Sequence, residues 1–201
     1  ARRIVSLLPN LTEMLVALGA GDRVVGVSAL CDLPPEVTRL PRVGTMVNPS
    51  TEAILALNPD AVVGVLGPYA PAALDPIRRR GVRMLFPSVE TLADVRAALR
   101  SLAALVGDPA AADRFLARMD AELAQVREKV QGRRRVRAVV VVSETPSVVA
   151  GHGSWTDEMF TLAGGENPVA NVNRFPALSR EQVLGATPEV IVDLTSLQGA
   201  T

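Results

Sequence analysis

Residues 50–63 read Ser-Thr-Glu-Ala-Ile-Leu-Ala-Leu-Asn-Pro-Asp-Ala-Val-Val, and residues 179–192 read Ser-Arg-Glu-Gln-Val-Leu-Gly-Ala-Thr-Pro-Glu-Val-Ile-Val. The two stretches align without a gap, and the first serine, the glutamate and the proline of one copy fall on those of the other. In each copy the serine can cap a helix, the proline ends it, and the β-branched run after it favours a strand. The repeat therefore predicts two similar α/β lobes.

The first lobe is predicted to span residues 1–88. Short β-branched runs alternate there with helical patterns, as is typical of a mostly parallel sheet. The predicted strands are 4–8, 24–27, 61–65 and 82–86, and the predicted helices include one that begins near Leu11 and one over 71–80.

A helical segment is predicted over residues 89–132. Apolar residues recur at helical spacing from 91 to 106, and a second helical pattern follows Gly107-Asp108-Pro109. We predict that the second helix connects the lobes. A single rigid helix at the junction would limit the lobes to small movements.

The second lobe is predicted to span residues 133–201 and to begin with a strand at 136–142. A lobe that matches the first would need one more helix and strand than these residues supply, so we expect the C-terminal lobe to be incomplete. Duplicated lobes commonly leave a crevice that holds a small ligand. The predicted fold is therefore α/β, with two similar lobes of mostly parallel sheet, one long joining helix and a ligand cleft between the lobes.

Composition excludes several classes of function. Basic and acidic residues both number 21, so no net positive charge exists to attract nucleic acid. No apolar stretch approaches the ~18 to 20 residues of a membrane span. The single cysteine cannot form an internal disulfide. The sequence also lacks a nucleophile elbow and a dinucleotide fingerprint, and one histidine with one cysteine cannot close a metal site. We therefore predict no enzymatic activity, no catalytic residues, no protein-held metal and no cofactor.

Several motifs carry a resemblance to a known family. These are residues 3–13 (Arg-Ile-Val-Ser-Leu-Leu-Pro-Asn-Leu-Thr-Glu), 18–28, Pro41-Arg-Val-Gly44, the two repeats and Ala163-Gly-Gly-Glu-Asn167. Together they resemble the helix-linked substrate-binding proteins of bacterial ABC importers for vitamin B12, haem and iron siderophores. Within that family, residues 31–35 and 175–184 look most like the cobalamin binders.

The resemblance implies a function and partners. The chain would capture a cobalt corrinoid and deliver it to the transmembrane subunits of an ABC permease; haem or a ferric siderophore is the alternative ligand. It would act as a monomer, in the periplasm or lipid-anchored outside the cytoplasm, with the signal segment outside this sequence. Glu52 and Glu181, one per lobe, would dock on permease arginines, although an acidic residue also stabilises the first turn of a helix by itself. A third possibility is a cytosolic regulatory domain with the same fold.

Ligand-binding residues are expected on loops at the carboxyl ends of the parallel strands, where crevices form in open α/β sheets. The single Trp, Tyr, His and Cys all fall on these predicted loops. The expected ligand-binding residues are Pro9, Asn10, Cys31, Asp32, Thr45, Met46, Leu66, Gly67, Tyr69, Ser143, Glu144, His152, Trp155 and Phe175.

Four of these residues have specific alternatives. Tyr69 could stack on a ring or, as a phenolate, ligate ferric haem iron. His152 could be an axial ligand to a chelated metal, or only a solvated loop residue. Trp155 and Phe175 could contact the ligand or cap the core of the second lobe. Cys31 is either a small buried residue or part of the site.

The sequence also departs from the cobalamin binders. Thr45-Met46 and Leu66-Gly67 stand where those proteins present tryptophans, which keeps haem or a siderophore open. An anionic siderophore, however, requires several inward cations, because desolvated carboxylates must be paired. Arg42 and Arg174 are the only obvious candidates.

Overall fold

The computed structural model describes residues 1–65, 72–144, 146–169, 172 and 174–195. By its contacts the chain divides into two compact units. Unit 1 contains Ala1–Val89 and Arg96–Ala117, and unit 2 contains Glu90–Val95 and Arg118–Thr201. The long helical segment is thus divided between the two units. The three-part division at residues 88 and 132 stays a prediction.

Unit 1 is built on a four-stranded parallel sheet. Its strands are β1 (Ile4–Ser6), β2 (Val24–Val27), β3 (Ala61–Val63) and β4 (Arg83–Leu85), in the order β2-β1-β3-β4. Because β1 and β3 are central, both of their faces are covered, and all six of their residues are buried. The predicted strands of this lobe are therefore confirmed, each within about two residues of its ends.

The helices of unit 1 cover this sheet. They are α1 (Pro9–Ala17), α2 (Thr51–Ala56) and α3 (Asp75–Arg79), and 3-10 turns lie at 21–23, 35–37 and 72–74. Helix α1 begins two residues before the predicted start, because proline is tolerated at the first helical position. The predicted helix over 71–80 is shorter than expected: a 3-10 turn precedes α3, and residue 71 lies outside the described part of the chain.

Two long helices follow, α4 (Leu92–Val106) and α5 (Pro109–Val130). Both were predicted from apolar periodicity. Helix α5 starts in unit 1 and continues into unit 2, with the boundary at Ala117/Arg118. The prediction of an α/β fold with a parallel sheet and a long helix is confirmed.

Unit 2 has a four-stranded sheet around β5 (Val136–Glu144). Strands β7 (Gly165–Glu166) and β8 (Val190–Asp193) pair with β5 in parallel, whereas β6 (Ser147–Val149) pairs with it antiparallel. Helices α6 (Trp155–Leu162) and α7 (Arg180–Gly185) complete the described part of this unit.

Both repeats form the predicted helix and strand. Helices α2 and α7 start at serine caps: the Ser50 side chain accepts from the Ala53 amide, and the Ser179 side chain accepts from the Gln182 amide. Strands β3 and β8 follow each helix after its proline.

Each repeat is also fixed to the start of a central strand by the same pattern of contacts, which we call the strand clasp. In unit 1, Arg3 donates to the Leu57 carbonyl at the end of α2 (Nη2–O 2.7 Å), and Asp60 accepts the backbone amides of Arg2 and Arg3. In unit 2, Arg137 donates to the Ala186 carbonyl (2.8 Å), and Glu189 accepts the Arg137 amide (3.2 Å). The clasp accounts for the acidic residue that follows the proline in both copies.

Candidate functional site

In unit 1, the four parallel strands end on one edge of the sheet. Pro9 and Asn10 follow β1, and the loop 28–35 follows β2. The turn 44–50 comes after Arg42, which forms a single parallel bridge with Val27 at the end of β2. Pro9 and Asn10 were expected on a loop; they are instead the first two residues of α1, because proline suits that position. The Asn10 side chain accepts from the Leu11 amide (2.8 Å). Both residues still lie beside the carboxyl end of β1.

The turn 44–50 uses its polar residues for its own folding. Gly44 has a φ of 89°, and a Cβ there would lie 2.4 Å from the Asn48 carbonyl oxygen, so only glycine fits. The Thr45 hydroxyl accepts from the Asn48 amide (3.1 Å), and Met46 packs against the core. Thr45 and Met46 therefore support the turn, and Val47 is its exposed apolar side chain.

Leu30, Leu33 and Val47 are the exposed large apolar residues of unit 1 within the described ranges. All three lie on loops beyond the carboxyl end of β2, next to the residues expected in the ligand site. Sequence reasoning missed them, because it gave weight to rare residue types. The pattern that could have indicated them is an apolar residue within a loop rich in residues that favour turns, such as proline, glycine and asparagine. These three side chains are therefore available for apolar contacts with a ligand.

Cys31 is fully buried, and its thiol lies 3.4 Å from the Thr12 hydroxyl. Burial raises the pKa of this thiol, against the opposing effect of the Thr12 contact. A buried, protonated thiol packs as a small apolar side chain. The burial of Cys31 agrees with the interpretation of this residue as a small buried side chain.

Arg42 holds the loop that contains Cys31 and Asp32. Its guanidinium donates to the carbonyls of Ser28 (3.0 Å) and Cys31, and lies 3.6 Å from the Asp32 carboxylate. This arginine is therefore already paired with a carboxylate and with backbone oxygens. Leu66, Gly67 and Tyr69, three of the expected ligand-binding residues, lie outside the described residues.

In unit 2, β5 is longer than predicted and ends at Glu144, so Ser143 and Glu144 are strand residues and not loop residues. A groove of about 440 Å³ opens beside them. Its lining comprises Val141, Glu144, Ser147, Arg180, Val183, Leu184, Ile191 and Asp193.

His152 and Trp155 do not lie at the carboxyl end of a parallel strand, and that expectation was wrong. They follow β6, which runs antiparallel to β5, so the chain has turned back by this point. The Ala150 amide donates to the Val140 carbonyl (2.8 Å), which places this loop beside the middle of β5. The loop therefore leaves the sheet away from Ser143 and Glu144.

Trp155 is also helical: it is the first residue of α6, whose cap is Ser154. Its side chain is 41% exposed, and that of Phe175 is 36% exposed. Met159 and Val172 are further exposed apolar residues in this part of unit 2, and neither was predicted. Neither aromatic residue is therefore enclosed in the core of this unit.

The His152 ring stands next to a buried carboxylate. Its Nδ1 lies 3.8 Å from Asp157, which is too far for a hydrogen bond. Asp157 accepts instead from the Gly153 amide (3.3 Å) and from the Asn167 side chain (2.7 Å). The His152 side chain is exposed, so most of its ring is accessible.

Arg174, the second candidate cation for an anionic ligand, forms an ion pair with Glu90. Its backbone has a φ of 62°, a conformation that residues other than glycine rarely adopt. The Arg174 amide donates to the His152 carbonyl (2.9 Å), so the peptide next to Phe175 is fixed to the His152 loop.

Glu52 and Glu181 occupy equivalent positions in the first turns of α2 and α7, and both are exposed. The Ser179 side chain lowers the pKa of Glu181 by hydrogen bonding, so this carboxylate is charged at neutral pH. Each glutamate can thus stabilise its helix terminus and still present a charge to a partner.

Within the described ranges, no group of three or more His, Cys, Asp or Glu side chains is arranged to hold a metal ion. Among the helices of the same ranges, none combines the length and the apolar character needed to cross a membrane.

Comparison with known proteins agrees with this architecture. A family model described as "Periplasmic binding protein" matches residues 4–199. The vitamin B12-binding protein of Vibrio parahaemolyticus is 30% identical over 190 residues, which are 94% of this chain and 69% of that protein.

Two solved structures are similar to this chain over at least 96% of its length. The periplasmic vitamin B12 binding protein BtuF of Vibrio cholerae has a TM-score of 0.80 at 29% identity, with 100% of this chain and 79% of that chain covered. The periplasmic heme-binding protein RhuT from Roseiflexus sp. RS-1 has a TM-score of 0.82 at 34% identity, with 96% and 76% covered. The chain therefore belongs to the periplasmic binding protein family, in the group that serves importers of vitamin B12, haem and iron siderophores.

Proposed function

We propose that this protein binds a corrinoid reversibly outside the cytoplasm and delivers it, chemically unchanged, to an ABC permease. The corrinoid is cargo and not a cofactor, and the protein performs no catalysis. The relatives named above are binding proteins, which supports this role. Vitamin B12 is named for relatives at about 30% identity, which supports the choice of cargo.

The pairing of the two arginines is the observation that carries the choice of ligand. Arg42 contacts Asp32, and Arg174 contacts Glu90. A carboxylate or catecholate that loses its water on binding needs a cation of its own, and these two already have partners. A corrinoid has a periphery of neutral carboxamides, so it does not require free arginines. An anionic ferric siderophore that used these two arginines would have to displace both pairs.

The exposed side chains supply suitable contacts for a macrocycle. Trp155 and Phe175 offer flat surfaces that bury large areas at a low cost in rotamer entropy. Leu30, Leu33 and Val47 offer apolar contacts from unit 1. A bound corrinoid would remove these side chains from water, at roughly 25 cal/mol per Å² of apolar area.

Haem is the second candidate, and the 34% identity to a heme-binding protein favours it. His152 is a described residue that could provide an axial ligand, because its ring is accessible. Tyr69 could serve in the same way. The two haem propionates would still need cations.

Titration of the purified protein distinguishes these ligands. Cyanocobalamin, cobinamide, haemin and a panel of ferric siderophores would be added separately, with detection by Trp155 fluorescence and by calorimetry. We expect saturable binding of the corrinoids alone, with quenching of Trp155. Binding of haemin or a siderophore alone would replace the cargo, and binding of none of them would contradict the proposed function.

The exposed pair Glu52 and Glu181 supports a docking role on the permease. Two carboxylates at equivalent positions can bind two arginines of the permease and so fix the orientation of the binding protein. Such charged hydrogen bonds become stronger when docking removes water from them. We expect Glu52→Ala and Glu181→Ala to leave corrinoid affinity unchanged and to reduce permease-dependent uptake, most strongly in the double variant. Glu36→Ala, at another exposed glutamate of the loop region, is the control. Uptake equal to that of the wild type in the double variant would overturn the docking role.

A further inference from the structure

The start of α4 is joined to the start of α6 by reciprocal contacts within unit 2. The Trp155 amide, the first of α6, donates to the Glu90 carbonyl (2.8 Å). The Leu92 amide, the first of α4, donates to the Glu158 carboxylate (3.2 Å). The first amides of a helix have no partner within the helix. Here the segment that leads into α4 accepts the first amide of α6, and a side chain of α6 accepts the first amide of α4. The two helix starts therefore support one another.

The segment before α4 is itself well fixed. The Asp94 carboxylate accepts the amides of Glu90 (3.3 Å) and Thr91 (3.2 Å), and the Thr91 hydroxyl accepts the Asp94 amide (3.0 Å). This is the reciprocal pattern of a capping box. These hydrogen bonds fix the backbone of Glu90 and therefore the position from which its side chain extends.

Glu90 contacts Trp155 directly and reaches Phe175 through the neighbouring Arg174. Its carbonyl accepts the Trp155 amide, and its carboxylate pairs with Arg174, the residue that precedes Phe175. Arg174 is bound in turn to the loop of His152, through its amide and through its carbonyl, which accepts from Gly151. One glutamate thus connects Trp155, Phe175 and the His152 loop.

We propose that Glu90 is a positioning residue for the ligand site: it orients Trp155 and Phe175 without touching the ligand. This inference rests on the proposed function, because those two aromatic residues are ligand contacts only if that proposal holds. The same contact leaves Arg174 without a free charge for an anionic ligand. Glu90 then contributes to specificity as well as to geometry.

Trp155 provides a direct test, because it is the only tryptophan in the chain. Glu90→Gln and Arg174→Gln would each remove the ion pair. Neither variant removes the Glu90 carbonyl that accepts the Trp155 amide, so both test whether the ion pair holds this backbone segment in place. If it does, we expect both variants to change the emission maximum of Trp155 and its quenching by acrylamide in the absence of ligand. We also expect corrinoid affinity to fall about two- to fivefold, the range for one partly exposed ion pair.

Arg114→Gln is the matched control. It breaks an ion pair with Asp108 that is comparably exposed and lies in unit 1. We expect it to change neither the fluorescence nor the affinity. The exchanged pair, Glu90→Arg with Arg174→Glu, should recover both properties, which a general loss of folding would not allow. Far-UV circular dichroism would confirm that each variant is folded.

The outcomes separate the two proposals. Unchanged Trp155 fluorescence in both single variants would overturn the positioning role, whatever the affinity. Changed fluorescence with unchanged corrinoid affinity would also overturn it. If the wild-type protein bound no corrinoid or haemin but the fluorescence still responded as expected, the proposed function would fail while the orientation of Trp155 by Glu90 would stand.

Discussion

The first copy of the repeat ends in a buried strand and the second in an exposed one. Strand β3 lies between β1 and β4, and all three of its residues are buried. Strand β8 pairs with β5 alone among the described strands, and three of its four residues are exposed. The same local sequence pattern thus forms the same helix and strand in two different settings. The comparison shows that the repeat determines the local unit, and that the neighbours of the unit determine how much its residues contribute to stability.

Equivalent substitutions in β3 and β8 should have the most unequal effects. Val62 has no exposed surface, whereas Ile191, at the equivalent position, is 52% exposed. We expect Val62→Asp to lower the free energy of unfolding by about 4 kcal/mol or more, because it buries an unpaired charge. Ile191→Asp should cost less than about 1 kcal/mol. Urea unfolding followed by circular dichroism measures both. Equal losses of unfolding free energy in the two variants would show that Ile191 is buried in solution.

The two strand clasps should also differ, by a smaller amount. Asp60→Ala removes the acceptor of two backbone amides, and we expect a loss of about 1 to 2 kcal/mol in the free energy of unfolding. Glu189 is exposed, so Glu189→Ala should cost less than Asp60→Ala, although it also breaks the ion pair with Arg134. Thermal unfolding of the two variants measures which loses more stability. A larger loss for Glu189→Ala would contradict the comparison.

Acid pH tests the same clasps. Burial raises the pKa of Asp60, but the amides of Arg2 and Arg3 outweigh it, so that this pKa lies below its ordinary value of 3.8. Contact with Arg134 and then with the Arg137 amide lowers the pKa of Glu189 from 4.5. A carboxyl group with a lowered pKa binds fewer protons when folded than when unfolded. Its stabilisation is therefore present above the ordinary pKa and is lost as the pH falls through the folded one.

Between pH 5 and pH 2, the Asp60→Ala and Glu189→Ala variants should accordingly lose less stability than the wild type. Melting temperatures across this range measure the difference. Parallel acid profiles for variants and wild type would contradict the role of these carboxylates.

The residue before each proline should have the smallest effect. Asn58 and Thr187 both have positive φ, 45° and 48°. Asparagine tolerates this conformation, whereas a β-branched residue is strained in it. We expect Thr187→Asn to raise the free energy of unfolding by up to about 1 kcal/mol, and Asn58→Thr to lower it by a similar amount. Chemical denaturation of the two variants measures these changes. A loss of stability in Thr187→Asn or a gain in Asn58→Thr would contradict the comparison.

Sequence reasoning predicted the repeat units well because their signals are local. The serine caps, the prolines and the β-branched runs lie within fourteen residues of one another, and each acts on its neighbours along the chain. It predicted the ends of elements less well. Pro9 and Trp155 were placed on loops, and both are first residues of helices. A residue at a helix start has the sequence environment of a loop, so local patterns do not separate the two.

For the candidate site, the sequence indicated which types of residue to expect but not how they are arranged in space. Trp155 and His152 were chosen for their rarity and their place on predicted loops, and Phe175 for its place on a predicted loop. The loop of His152 starts beside the middle of β5 because β6 runs antiparallel to β5, and no local signal in the sequence specified that direction. Leu30, Leu33 and Glu90 were missed, because an exposed leucine or a connecting glutamate has no distinctive pattern before its contacts are known.

By itself, then, the sequence determined the α/β class, the repeated helix-strand unit, the long helices and the family. These properties follow from hydrophobic periodicity, capping residues and motifs, all of which depend on short spacings along the chain. Only the tertiary structure decided which copy of the repeat is buried, in which direction β6 runs, and that Arg42 and Arg174 are already paired. Each of those depends on residues that are distant in sequence and adjacent in space, and burial and charge pairing are properties of that proximity.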